Sequence, residues 1–160
     1  FPGFAQARIK AIAPLLGVRE TRRIKAWETL RVDDLASGRK YPSTIGLSSY
    51  GWDLPDPKRP SHQPMGERQQ PKLPFTPIPF GIMVPQGVDN LICPGRAVGV
   101  EREVLGPLRV MAPCMAMGEA AGVAAAQVVR AATGFKSVDI ETLRGELRRR
   151  GAIVDEAGMA

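Results

Sequence analysis

The sequence is short of the residues from which metal and thiol centres are built. It holds one histidine, His62, and two cysteines, Cys93 and Cys114, which form no Cys-x-x-Cys pair. So few ligands build no metal cluster, and no metal is assigned; both cysteines lie in apolar stretches, where buried reduced thiols are expected. Aromatic residues make up 6% of the chain and show no stacking pattern with the basic ones. The net charge of +6, from 22 basic and 16 acidic residues, therefore favours anionic ligands in general and gives no reason to expect nucleic acid. No apolar run is read as a bilayer span, and the opening FPGFAQARIKAIAPLLG is broken by charges and prolines, unlike a secretory signal. A soluble, cytoplasmic protein with no membrane partner is expected. The absence that matters most is of a glycine-rich GxGxxG loop, the turn that opens a dinucleotide-binding βαβ unit.

What is present is organised around Asn90–Gln127, NLICPGRAVGVEREVLGPLRVMAPCMAMGEAAGVAAAQ. Leu91-Ile92-Cys93 lies between turn residues and is too short for a helix, so it reads as a buried strand that delivers Gly95 to a tight approach. A small-residue helix follows. Proline suits the first helical position, which places the start at Pro113 and leaves Cys114 and Met115 with free N–H groups. Such a start carries about half a positive charge and holds an anion or an electron-rich carbonyl. Gly118, Ala121, Gly122 and Ala125 recur at helical spacing and make a stripe with almost no side-chain volume, which lets another backbone come close. Without a ligand, the same pattern is a βα unit packing a helix on a sheet.

The flanks read more plainly. Apolar Ile9, Ile12, Leu15 and Leu16 give Ala5–Leu16 a helical rhythm, with Pro14 in its last turn and Gly17 as a stop. Val32–Gly38 reads as one helical turn, capped by aspartate and ended by Gly38. Ser43–Trp52 reads as a strand. Eight of the 15 prolines fall within 55–79, which excludes regular helix and makes that stretch a loop; His62 lies in it, either exposed or as a general base. Ser137–Arg150 reads as a helix capped by Asp139 and stopped by Gly151.

NLICPGRA and LGPLRVMAPCMAMGEAAGVAAA, with RETRRI at 19–24 and the apolar segment 78–84, resemble the C-terminal signature of the FAD-dependent oxidoreductases related to the glutathione-reductase-like flavoproteins. The resemblance covers Leu16 to Gly151. It implies an α/β (α+β) fragment, the C-terminal part of a two-domain FAD-binding flavoprotein, in which residues 1–89 belong to a substrate or cap domain and 90–160 complete the FAD domain. It further implies FAD as cofactor, contacted by Gly95, Arg96, Pro113, Cys114 and Met115, and hydride transfer with a small-molecule substrate. Val18–Leu30 is then a strand leading into a loop over the active site, with a solvated, ion-paired strand as the alternative. His62 and Arg109 are the catalytic candidates, Arg109 serving flavin or an anionic substrate, or forming a structural salt bridge. The chain departs from the family's Asp-x-His at Asp53-Leu54-Pro55, and Arg96 stands where related flavoproteins often have an acidic residue.

Because the glycine-rich loop is missing, the chain reads as a fragment, a separate domain or one subunit of a split enzyme. Its partner is then an N-terminal FAD-binding half or another subunit, and homo-oligomers are open. The competing reading is a non-catalytic binding or assembly module in which the small-residue helix packs on another subunit.

Overall fold

A computed structural model describes residues 2–15, 17, 21–53 and 71–159. The elements are α1 (Val32–Ser37), β1 (Thr44–Ser48), β2 (Thr76–Pro79), α2 (Leu105–Leu108), α3 (Met111–Ala131) and α4 (Ile140–Arg149), with short 3-10 turns at Phe80–Met83, Phe135–Ser137 and Glu156–Met159. The strands pair antiparallel, Thr44 opposite Pro79 and Ser48 opposite Thr76. The fold is thus a small mixed α/β arrangement, as expected.

One core joins residues on both sides of Asn90. Leu30, Ile45, Ile78, Ile82, Met83, Val98, Leu105, Leu108, Met117, Leu143 and Leu147 are all at most 1% exposed. Met117, Ala120 and Ala124 are the residues by which α3 enters this core, each 0% exposed. Alanine-rich sequence favours the helix intrinsically, but burial of this face holds it in place.

Three segments without strand pairing of any length are interlocked by backbone hydrogen bonds, and they position the site. Ile24 N–H donates to Ala97 C=O at 2.8 Å, Trp27 N–H to Val84 C=O at 2.8 Å, Gly99 N–H to Ile82 C=O at 2.8 Å, and Cys93 N–H to Met83 C=O at 2.8 Å. Glu28 ties the set to β1: its carboxylate accepts from Gly81 N–H at 3.0 Å and from the Ser43 hydroxyl at 2.9 Å. Among the described residues of these segments, two isolated bridges, Ala26 with Pro85 and Leu30 with Val100, interrupt the irregular backbone.

Several expectations are corrected. Leu91-Ile92-Cys93 is not a strand, because its one described backbone tie, Cys93 to Met83, is not continued into a ladder. The described part of Val18–Leu30 is not a strand either: its backbone hydrogen bonds go in turn to the 81–86 and 97–101 segments, leaving isolated bridges at Ala26 and Leu30 with a bend between them; residues 18–20 lie outside the described residues. The described part of Ala5–Leu16 forms no helix, since Ile9, Ile12 and Leu15 are 79–84% exposed and have nothing to pack on. The Ser43–Trp52 strand shortens to five residues. By length and composition α3 is long and apolar enough to cross a membrane, contrary to the expectation that no apolar run reaches that length; Pro113, Met117, Ala120, Ala121 and Ala124 on it are buried in the fold.

Both ends of α4 and the Gly38 end of α1 form as read, whereas the cap of α1 is Arg31 and its aspartate, Asp34, lies inside the first turn. The Asp139 carboxylate accepts from the N–H groups of Glu141 at 3.1 Å and Thr142 at 3.2 Å, and Gly151 takes a left-handed φ of 87° beyond α4. At α1, Asp34 accepts from Arg31 N–H at 3.0 Å and Gly38 closes the helix with φ 71°.

These carboxylates make the fold acid-sensitive. Hydrogen bonds from Arg149 and Arg150 lower Glu146 from 4.5 to about 2, a hydrogen bond from Thr142 lowers Asp139, and one from Arg148 lowers Asp155. At Asp34 burial pushes upward, but Tyr41, Arg39 and the Arg31 N–H together outweigh it and the net shift is down. A carboxylate with a depressed folded pKa stabilises the fold above its unfolded pKa, and that contribution is lost as pH falls through the folded value. Melting temperature should therefore drop steadily from about pH 5 to about pH 2. A flat profile over that window would contradict the pairing described here.

Candidate functional site

The start of α3 is set by Val110, which caps the helix in an extended conformation (φ −82°, ψ 167°) and offers no side-chain acceptor. The helix begins at Met111, two residues before the expected start. Pro113 is its third residue and is buried. Any first-turn position tolerates proline, because none of those N–H groups has a partner inside the helix. Cys114 N–H consequently is not free: it donates to Val110 C=O at 3.2 Å. Met115 lies in the second turn with its side chain 72% exposed. The uncapped donors are those of Met111 and Ala112, which the sequence reading missed by anchoring the helix on proline.

Gly95 approaches this helix start. Its φ of 89° is a left-handed conformation that a side chain would strain, and a Cβ built there would lie 3.9 Å from the Cys114 sulfur. Half-burial of Cys114 raises its thiol pKa, an effect the neighbouring Arg96 charge opposes. The thiol makes only a weak contact, 3.7 Å from Leu108 C=O. Gly95, Arg96, Pro113 and Cys114, which lie apart in sequence, thus meet around one helix start.

Arg109 is placed differently. Its side chain is 9% exposed, and its guanidinium donates to the backbone carbonyl of Asp53 and pairs with the Asp53 carboxylate at 3.6 Å. The Tyr50 hydroxyl donates to the same carboxylate at 3.1 Å, and the Ser48 hydroxyl donates to Pro107 C=O at 2.7 Å. Residues 48–53 are therefore fastened to the α2–α3 junction. No sequence spacing pointed to this tie, since its partners are more than fifty residues apart. His62, Pro55 and most of the proline-rich stretch lie outside the described residues.

The model of the family described as FAD dependent oxidoreductase matches residues 1–147. The chain belongs to the FAD-dependent oxidoreductase family. Comparison with curated proteins and with solved structures returned no match. Membership makes FAD the cofactor to test against the site, and the fit is to one end of that molecule. A side-chain-free Gly95 and an uncapped helix start give backbone donors and room for a flat, electron-rich ring edge. Nothing in the 160 residues supplies the glycine-rich turn for the ADP end.

Proposed function

We propose that this chain contributes the flavin side of an FAD-dependent oxidoreductase site. The observation that carries the reading is the meeting of Gly95, Arg96 and Cys114 at the start of α3 in a chain of this family. FAD supplies the hydride-transfer chemistry when bound. The protein's part is to position and to stabilise. The Met111 and Ala112 N–H groups, at the positive end of a 21-residue helix, favour negative charge at a carbonyl edge. Gly95 keeps the approach open, and Arg96 adds a cation beside it.

Arg109 acts at one remove in this reading: by holding Asp53 it fixes residues 50–53 against the α2–α3 junction, from which α3 and the proposed flavin contacts start. A glutathione-reductase-like arrangement, an N-terminal FAD-binding half as partner and a cytoplasmic setting with reduced thiols belong to the same proposal. The free state of both cysteines supports the last.

The test is alkylation of Cys114 followed by site-resolved mass spectrometry, at alkaline pH because burial raises its pKa. Saturating FAD, with a glycine-rich-loop half from a family member supplied, should slow modification of Cys114 about tenfold. Unchanged modification in a complex that has bound flavin would place the flavin elsewhere.

A further inference from the structure

A cavity of about 340 Å³ lies where the α1–β1 loop, the β1–β2 pair, α4 and the turn at Glu156–Met159 meet, and it shares no residue with the start of α3. Its volume is that of a small-molecule site, about 300–1,000 Å³. The walls at Leu47, Leu73, Phe75, Pro77 and Val154 are apolar. A bulge builds one of them: β1 takes three steps from Thr44 to Leu47 while β2 takes two from Pro79 to Pro77. In a regular strand residues three apart point to opposite faces, but the extra residue turns both Thr44 and Leu47 to the cavity.

One end of the cavity is cationic. Arg144 reaches it from α4 with its side chain 12% exposed. Its guanidinium donates to the Thr44 carbonyl and, at 3.1 Å, to the Asp155 carboxylate, while its buried Nε–H has no hydrogen-bond partner among the described residues. A guanidinium has five N–H donors, so this one is under-used. Arg148 donates to the same oxygen of Asp155, so two guanidinium groups share one carboxylate. The remaining positive charge has only the exposed carboxylate of Glu141 beside it, no closer than 4.0 Å. At the rim Lys40 pairs with Glu156 at 3.1 Å; both are exposed, and such a pair exchanges partners at little cost.

Apolar walls with surplus positive charge at one end fit a ligand of the complementary layout. We propose that this cavity binds a small organic carboxylate, an aromatic or branched aliphatic body bearing one carboxylate group. The body lies between Leu47, Phe75 and Val154, and the carboxylate is directed to Lys40 and Arg144. The inference is independent of the flavin-side reading, because the two sites have no residue in common.

Naphthalene-1-carboxylate is the probe, titrated into the isotope-labelled chain and followed by backbone amide chemical shifts. It should bind with a Kd below about 1 mM, as a ligand of its size can. Shifts should concentrate at residues 40–47, 73–76 and 154–157 and leave Gly95 and Cys114 unmoved. The neutral naphthalene-1-carboxamide should bind about tenfold more weakly or worse. Lys40→Glu, at a side chain 77% exposed, should weaken the carboxylate about tenfold and leave the amide and the melting temperature unchanged. Leu47→Trp, which fills the cavity, should abolish binding of both probes. Equal affinity for carboxylate and amide would show that the charge is not read and would overturn the proposal. So would shifts centred on other residues, or no shifts up to the solubility limit of the probe. Shifts at these residues that grow with the chain's own concentration, without probe, would assign the cavity to contact between copies and overturn it as well.

Discussion

Gly99→Val should lower the stability of the fold by about 3 kcal/mol or more. A Cβ at position 99 would lie 2.3 Å from the Ala26 Cβ and 3.3 Å from the Ala26 backbone, a distance no rotamer change relieves. Residue 99 also sits in the middle of the interlocked segments, donating to Ile82 C=O and accepting from Leu30 N–H at 3.3 Å. Pushing it out breaks both ties and opens the core at Val98 and Val100, which are 0% and 5% exposed. Overpacking costs about 1–3 kcal/mol where neighbours can give; with backbone against backbone, 3 kcal/mol or more is expected. That is a large part of a typical stability of about 5–15 kcal/mol. Urea denaturation measures it, with Gly122→Ala as the control: in open space on a helix, that change should stabilise by about 0.5–1 kcal/mol. Equal midpoints for the two variants would mean that residues 24–30 do not cross Gly99 as described.

Gly95→Val should instead act on the cofactor. At φ 89° a β-branched residue is strained by about 1–3 kcal/mol, and its methyl groups would crowd the space beside the Cys114 sulfur. If that space receives the flavin edge, FAD affinity in the reconstituted two-part enzyme should fall at least about a hundredfold, equivalent to roughly 2.8 kcal/mol. Gly95→Ala carries less bulk and should fall between the two. Retained affinity in a folded Gly95→Val protein would remove Gly95 from the site.

The two variants mark what the sequence exposed and what it hid. Local signals were readable where one residue type satisfies one geometric demand: Asp139 and Gly151 bound α4, and Gly38 ends α1, because orphan helix groups must find partners nearby. The meeting of 95, 96 and 114 was legible through family resemblance to a stretch of motifs, which geometry then brought together. Non-local ties were invisible. The crossing of Ala26 over Gly99 and the Arg109–Asp53 bond join positions tens of residues apart, and no periodicity encodes them. The helix start was misjudged by two residues because proline is tolerated throughout the first turn, whereas Val110 carries no capping group that would have marked it. The segment Leu91–Cys93 had the composition of a strand but no ladder partner, and pairing decides a strand more than propensity does.

The small-residue stripe is instructive for the opposite reason. Ala121 is 6% exposed and faces the core, while Gly118 and Gly122 face outward, so the spacing that seemed to define one packing surface spans two. The inner part builds this fold. The outer part packs on nothing among the described residues.

The central claim is that the chain holds only the flavin end of FAD. Its most direct test is a titration of the isolated, monomeric chain with FAD, followed by quenching of flavin fluorescence, and repeated with a glycine-rich-loop half present. The account predicts binding weaker than about 10 µM for the chain alone and a gain of at least about a hundredfold on adding the second half. Sub-micromolar binding by the isolated chain would contradict it, because the ADP end would then be held by residues that have no place in this description.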